Sequence, residues 1–514
     1  MQQNLTRREF LRIVTLSSVG LTIASCAPQI AAPTPITGST IQSPSSPAAT
    51  AQSAESSSTS SQSNAASSKN PKAQSASVNN SDFSANIILG RPTATSITAN
   101  LIPASAMSIY YEYGTTSGVY TSQTSPQNVS ANTPIETLIG GLQANTQYYY
   151  RLRTNGNPGV EHSFMTQRAP GATFTFDIQG DSHPERLGKE FSPDLYPITL
   201  RNAAADQPDF YMTIGDDFSV DTLKSVNADT VKALYLTQRQ WLGQVGAPLF
   251  LINGNHEQAA MANLNGTVNN VAVWAQTARN ALYPQPAPDN FYSGDADQTQ
   301  FVGSLRDYYA WTWGDALFVV LDQYWHSPVT VDNQFGVDRD QKAKRDLWQV
   351  TIGDAQYQWF KRTLETSPAK YKFVFSHHVL GTQRGGIDVA NQYEWGDARN
   401  LAAHRPGWSK TIHQVMVDNH VNIYFQGHDH IFVKQELDGV IYQTLPEPGD
   451  PNYALNNAES YKSGDKLPST GHVRVTVSPT QVKVDYVRAY LPKDEGTGKK
   501  NGEVAYSYTV ASKI

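Results

Sequence analysis

The sequence holds one cysteine, Cys26, in 514 residues. A lone thiol excludes an internal disulfide, and with no cysteine after residue 26 a metal site in the rest of the chain has no thiolate to use. Charge is also sparse, at 16% of residues, with a formal net charge of -6. That mild acidity argues against the concentrated basic face that nucleic-acid binding needs. The apolar stretch from Ile13 to Ala24 falls short of the roughly 20 residues a helix needs to cross a bilayer. What the chain does have is aromatic residues, at 10%, and enough length for two or three domains with sizeable cores.

The N-terminal text "TRREFLR" carries paired arginines, Arg7 and Arg8, ahead of that apolar stretch, and "IASC" ends it at Cys26. Residues 1–26 resemble a twin-arginine signal joined to a lipobox. The resemblance implies twin-arginine export, cleavage before Cys26, lipidation of its thiol, and an extracytoplasmic protein held at a membrane only through that lipid. An ordinary signal cut nearby, or a short anchor, is the alternative. Residues 27–80 are Ser, Ala, Thr, Gln and Pro with almost no aromatic, too polar to offset chain entropy, and read as a disordered tether.

From 82 to 168 the text becomes short alternating runs such as "MSIYYEYGT" and "TQYYYRLRTN", punctuated by turn residues at sandwich-like intervals. "IGGLQANTQYYYRL" resembles a late strand of fibronectin type III modules, which implies an all-β sandwich acting as spacer or docking unit. From 171 to 490 apolar strands alternate with helix-like stretches. "FTFDIQGD", "DFYMTIGD", "PLFLINGNHE", "ALFVVLDQ", "KFVFSHH" and "VNIYFQGHDH" read as strands. "DAQYQWFKRTLE" reads as a helix with Trp359, Phe360 and Leu364 on its core face. The expected fold is α/β, layered, with a sheet-on-sheet core flanked by helices, and 491–514 is expected to be a C-terminal tail.

Several of these strands end in metal-ligand chemistry: Asp181-x-His183, Gly215-Asp216, Gly254-Asn255-His256-Glu257, His377-His378 and Gly427-His428-Asp429-His430. Each piece alone is weak; Gly-Asp, for instance, is an ordinary turn dipeptide. Together, in order and each at a strand end, they lack a comparable structural explanation, because ligand sites in open α/β folds form beyond the carboxyl ends of strands. Imidazole and carboxylate without sulfur suit Fe, Mn or Zn. Two divalent ions against Asp181 and Asp216 leave about +2, or about +1 with a bridging hydroxide, a charge that attracts an anionic ester and activates a water.

The five blocks resemble those of the calcineurin-like metallophosphoesterases, and with the preceding β module especially the purple acid phosphatase branch. That resemblance implies a metallophosphoesterase β-sandwich flanked by helices and hydrolysis of a small phosphate ester. It also implies Asp181, His183 and His430 on one ion, Asn255, His377 and His428 on the second, and Asp216 bridging. His256 matches the family's acid and transition-state stabiliser. His377 is taken over His378 by register. Glu257 is left either orienting a ligand or facing solvent. Ser219 stands where purple acid phosphatases have a metal-binding tyrosine, so no tyrosinate charge transfer is expected. A nucleotidase or phosphodiesterase with the same site, or a non-catalytic cell-surface binding protein, are the competing readings. The contacts that set specificity are expected in 258–306 and 381–408, which hold Trp274, Trp395, Trp408, Arg384 and Arg405; packing of a long insertion is the expected role of the aromatics, and stacking on a base the alternative.

Overall fold

The computed structural model describes residues 87–332, 346–379 and 383–513. The signal with Arg7, Arg8 and Cys26, and the tether to residue 80, lie outside the described residues.

The first eight strands form two antiparallel sheets. Ile87–Gly90, Ser96–Leu101 and Ile135–Gly140 make one. Met107–Gly114, Gln147–Thr154 and the edge strand Asn157–Met165 are the long strands of the other. Strand alternation explains the core: Tyr148, Tyr150 and Leu152 of "QYYYRLRT" turn inward, and Tyr149 and Arg151 do not. They pack with Ile97, Ala99, Ile109 and Phe164 from both sheets. The module is docked onto the following body. The buried Arg239 donates from Nη2 to the Asn100 carbonyl at 2.7 Å, and Asn100 Nδ2 donates to the Ala281 carbonyl at 3.0 Å. Ile88 joins an apolar cluster of the body.

The body stacks a six-stranded sheet on an eight-stranded one. In the first, Leu249–Leu251, Phe210–Thr213 and Phe174–Gln179 run parallel, followed by antiparallel Gly471–Val477, Gln481–Arg488 and Val504–Ala511. In the second, Ala316–Val320, Tyr371–Phe375, Ile423–Gln426 and Val440–Thr444 run parallel. Phe176, Phe210, Phe318, Phe373, Phe375 and Phe425 fill the space between the sheets, with Phe176 and Phe210 stacked at 5.4 Å. Helices cover the outer faces: Tyr196–Asp206, Ala228–Leu242 and Val271–Leu282 over the first sheet, and Asp354–Thr366 and Ile412–Asp418 over the second. In Asp354–Thr366 the buried positions include Trp359, Phe360 and Leu364. Among the described residues no helix is long and apolar enough to cross a membrane.

One boundary differs from the sequence reading. The stretch expected as a tail contributes Val504–Ala511, an edge strand paired along Gln481–Arg488. Its alternating Tyr506 and Tyr508 pack against the inter-sheet core, a period-2 signal that its short, exposed surroundings obscure.

Candidate metal centre

The parallel strands bring five loops to one end of the two sheets. Phe174–Gln179, Phe210–Thr213 and Leu249–Leu251 deliver Asp181, Asp216 and Asn255 from the first sheet. Tyr371–Phe375 and Ile423–Gln426 deliver His377 and His428 from the second. Asp181, His183, Asp216, Asn255, His256, His377, His428 and His430 are all buried.

The loops meet with little clearance. A Cβ on Gly254 would fall 2.2 Å from Asp216 Oδ1, and one on Gly427 would fall 2.4 Å from Asp181 Oδ1. Glycine before the polar residue is therefore a packing requirement in these two blocks. His183, Asp216, His428 and His430 take left-handed φ values of 41°, 52°, 66° and 58°. Backbone strain of this kind persists where surrounding structure overdetermines it, and clusters at functional sites.

Asp216 Oδ2 lies at the middle. It is 3.0 Å from His377 Nε2, 3.9 Å from His183 Nε2 and 4.0 Å from His256 Nε2. Its other oxygen accepts from the His256 backbone N–H at 2.8 Å, which aims Oδ2 inward. To one side, Asp181 Oδ2 is 3.2 Å from His430 Nε2 and 4.0 Å from His183 Nε2. To the other, Asn255 Oδ1 is 3.0 Å from His377 Nε2 and 3.1 Å from His428 Nδ1.

The imidazoles are oriented from behind. His377 Nδ1 donates to the Ile214 carbonyl at 2.9 Å. His183 Nδ1 is 3.0 Å from Ser219 Oγ and 3.1 Å from Glu185 Oε1. His430 Nδ1 is 2.9 Å from Glu447 Oε1, and His428 Nε2 is 3.6 Å from Asp332 Oδ2. In each ring one nitrogen faces an oxygen partner and the other faces the centre, the arrangement that fixes metal-binding histidines. Ser219 thus touches His183, where the resemblance would have placed a ligand tyrosine.

This donor set fits cations. With Nδ1 of His377 committed to a carbonyl, Nε2 points a lone pair at Asp216 Oδ2 and Asn255 Oδ1, each 3.0 Å away. Three acceptors so close repel unless a positive charge stands among them. His183 Nε2 and Asp216 Oδ2 have no hydrogen-bond partner among the described residues. Electrostatics give the same result. Burial alone would lower the His377 pKa, yet Asp216 and Asp181 outweigh it and raise it to about 9. A proton is drawn to the place where a metal ion would sit. Asp181, despite burial, is lowered to about 2 by His377 and His430.

His256 is placed differently. Its Nδ1 lies 2.6 Å from Asp221 Oδ1, and its Nε2 lies 3.4 Å from Arg186 Nη2. Burial opposes a charged ring, but Asp216 and Asp221 hold its pKa above the ordinary histidine value. Glu257 resolves as a brace. Its Oε2 accepts from the backbone N–H of Gly254 at 2.8 Å and of Asp216 at 3.1 Å, and Oε1 accepts from Asp217 N–H at 2.7 Å. His378 stacks on His428 with centroids 4.5 Å apart, and its Nδ1 is 3.1 Å from Tyr324 Oη. It backs the centre, whereas His377 enters it.

Sequence reasoning missed Arg186, Asp221, Glu185 and Glu447. The first three follow their blocks by only a few residues, in "DSHPER" and "GDDFSVD", and proximity to a strand end was the available signal. In the two long loops Trp395 and Trp408 take the packing role expected of them: both are buried, Trp408 stacking on Tyr357 at 3.8 Å. Arg405 pairs with Glu394 at 2.5 Å, and Arg384 pairs with Asp429 at 3.2 Å.

Comparison with known proteins converges on this region. A family model described as calcineurin-like phosphoesterase matches residues 174–432, just over half of the chain. Among solved structures, PhoD superposes with a TM-score of 0.58 at 16% identity, covering 83% of this chain and 90% of that one. The purple acid phosphatase PPD1 from seeds of yellow lupin (Lupinus luteus) gives a TM-score of 0.53 at 16% identity, covering 84% of this chain and 74% of that one. At such identity these likenesses speak for the fold. No curated protein sequence matches.

Proposed function

The chain belongs to the calcineurin-like phosphoesterase family, and on that premise we propose that it is an exported hydrolase of small phosphate esters with a dinuclear metal centre. The observation that carries the reading is the convergence of five strand-end loops on Asp216 Oδ2, with imidazoles oriented from behind toward it. Asp181, His183 and His430 would hold one ion, Asn255, His377 and His428 the other, and Asp216 both. Fe, Mn and Zn suit this oxygen–nitrogen set. Bound there, two ions supply Lewis acidity toward phosphoryl oxygens and activate a water.

The chain's own residues do the rest. His256, adjoining the centre and held by Asp221, is placed to give a proton to the departing ester oxygen. Glu257 keeps the Asp216 and Asn255 loops in register. The N-terminal sequence supports twin-arginine export and a lipid anchor at Cys26, with 27–80 as tether. The order of strands in the first two sheets supports a fibronectin-like module. The test is a panel of phosphomonoesters, diesters and nucleotides, assayed on chelator-treated protein before and after addition of Mn, Fe or Zn. Metal-dependent turnover of at least one ester is expected. Failure to hydrolyse any of them with every metal would refute the reading.

A further inference from the structure

Arg186 lies outside the five blocks yet reaches the centre. The loop carrying it folds back on itself: Arg186 N–H donates to the His183 carbonyl at 2.9 Å, and Lys189 N–H donates to the Arg186 carbonyl at 3.1 Å. Asn452 Nδ2 ties the loop to the opposite wall through the Lys189 carbonyl at 2.5 Å. The guanidinium is then set by two carboxylates. Its Nη1 bonds Glu190 four residues on, and its Nε lies 3.6 Å from Glu185 Oε1. With those two nitrogens engaged, Nη2 extends to 3.4 Å from His256 Nε2. His256 Nε2 is itself 4.0 Å from Asp216 Oδ2.

Arg186 Nη2 therefore stands beside the imidazole edge that faces the centre, and a guanidinium N–H donates well to a phosphoryl oxygen. We propose that Arg186 and His256 form a phosphoryl-oxygen subsite beside the metal ligands, and that it favours terminal phosphate monoesters over diesters. This rests on the hydrolase reading above. A monoester offers a bare, more negative oxygen where a diester carries a second ester group, and a donor held beside the acid rewards the bare oxygen. Glu190 also lies 3.5 Å from His430 Nδ1, so the carboxylate that holds the arginine is tied to a metal-binding ring. The side chain stays partly open to solvent, as a substrate contact must be.

The experiment compares wild type, Arg186→Gln, Arg186→Lys and, as a nearby charge control, Lys189→Gln at the exposed loop tip. Inorganic phosphate binding is measured by calorimetry on metal-loaded protein. Turnover is measured with p-nitrophenyl phosphate and its bis-ester. Arg186→Gln is expected to weaken phosphate binding about 10–100-fold, the worth of one charge-assisted hydrogen bond. It should lower monoester kcat/KM more than diester kcat/KM at unchanged metal content. Arg186→Lys should recover part of the loss, and Lys189→Gln should match wild type. Phosphate affinity within twofold of wild type in Arg186→Gln would overturn the subsite, and equal losses on both esters would overturn the selectivity. Should the glutamine variant misfold, the lysine variant carries the same comparison, because it keeps the charge for Glu190 and loses the fork. Phosphate binding is read without turnover, so a chain that binds phosphate but hydrolyses nothing refutes the hydrolase reading and leaves the subsite standing.

Discussion

Glu257 is where stability and metal binding should be found coupled. Its carboxylate accepts three backbone N–H groups, from Gly254, Asp216 and Asp217, inside a site where it is only 4% exposed. In Glu257→Gln the amide oxygen can take the Oε2 place and keep Gly254 and Asp216, but the amide nitrogen then faces Asp217 N–H. One stranded buried donor costs about 1–3 kcal/mol. Glu257→Ala strands all three; because they share one acceptor their costs do not add in full, and roughly 3–5 kcal/mol is expected. The same bonds set the backbone of Asp216 and of the loop bearing Asn255, so metal affinity should fall alongside. Urea unfolding of metal-loaded and metal-stripped protein separates the two effects, since an ion that binds only the native state adds stability by mass action. The alanine variant should unfold at markedly lower urea even when stripped, and should gain less from added metal than wild type. An alanine variant with the wild-type midpoint and full metal content would refute the brace.

Three further outcomes follow from the same geometry. His256→Ala should keep its metals and lose about 10²–10⁴ in rate, the usual worth of a positioned acid; unchanged kcat would remove the residue from the chemistry. Asp216→Ala should lose metal and activity together, because Oδ2 lies between both ligand groups; a variant with full metal content by mass spectrometry would contradict that. Asp221→Asn removes a carboxylate that holds the His256 pKa up, so kcat/KM should fall about 10–100-fold and the alkaline limb of its pH profile should move to lower pH. The sign follows from the acid role: the ring must be protonated, and a lowered pKa empties that form sooner as pH rises. The stability from this pairing is present below the ring's unfolded pKa and is lost as pH rises through the folded value. An alkaline limb that stays in place would show that Asp221 does not tune His256.

The strand-end blocks were legible because a buried apolar run that stops at Asn, His or Asp leaves polar groups needing partners, and "LFLINGNHE" shows this in nine residues. The inter-sheet core was legible from the same runs, whose phenylalanines meet edge to face across the two sheets. What escaped notice depends on loops. Asp221, Glu447 and Arg186 sit on segments without periodicity, and only the folded chain shows which ring each one approaches. Glu257 stayed ambiguous since its partners are backbone N–H groups, which no side-chain pattern reveals. The docking of the β module was hidden likewise. Arg239 reads as an ordinary helix-surface cation until its guanidinium is seen bonding the Asn100 and Leu282 carbonyls.

The most direct measurement is elemental mass spectrometry on active protein isolated without chelator. Two metal ions per chain are expected, falling together in Asp216→Ala. Full activity at one ion per chain or none would contradict the caged pair on which the account stands.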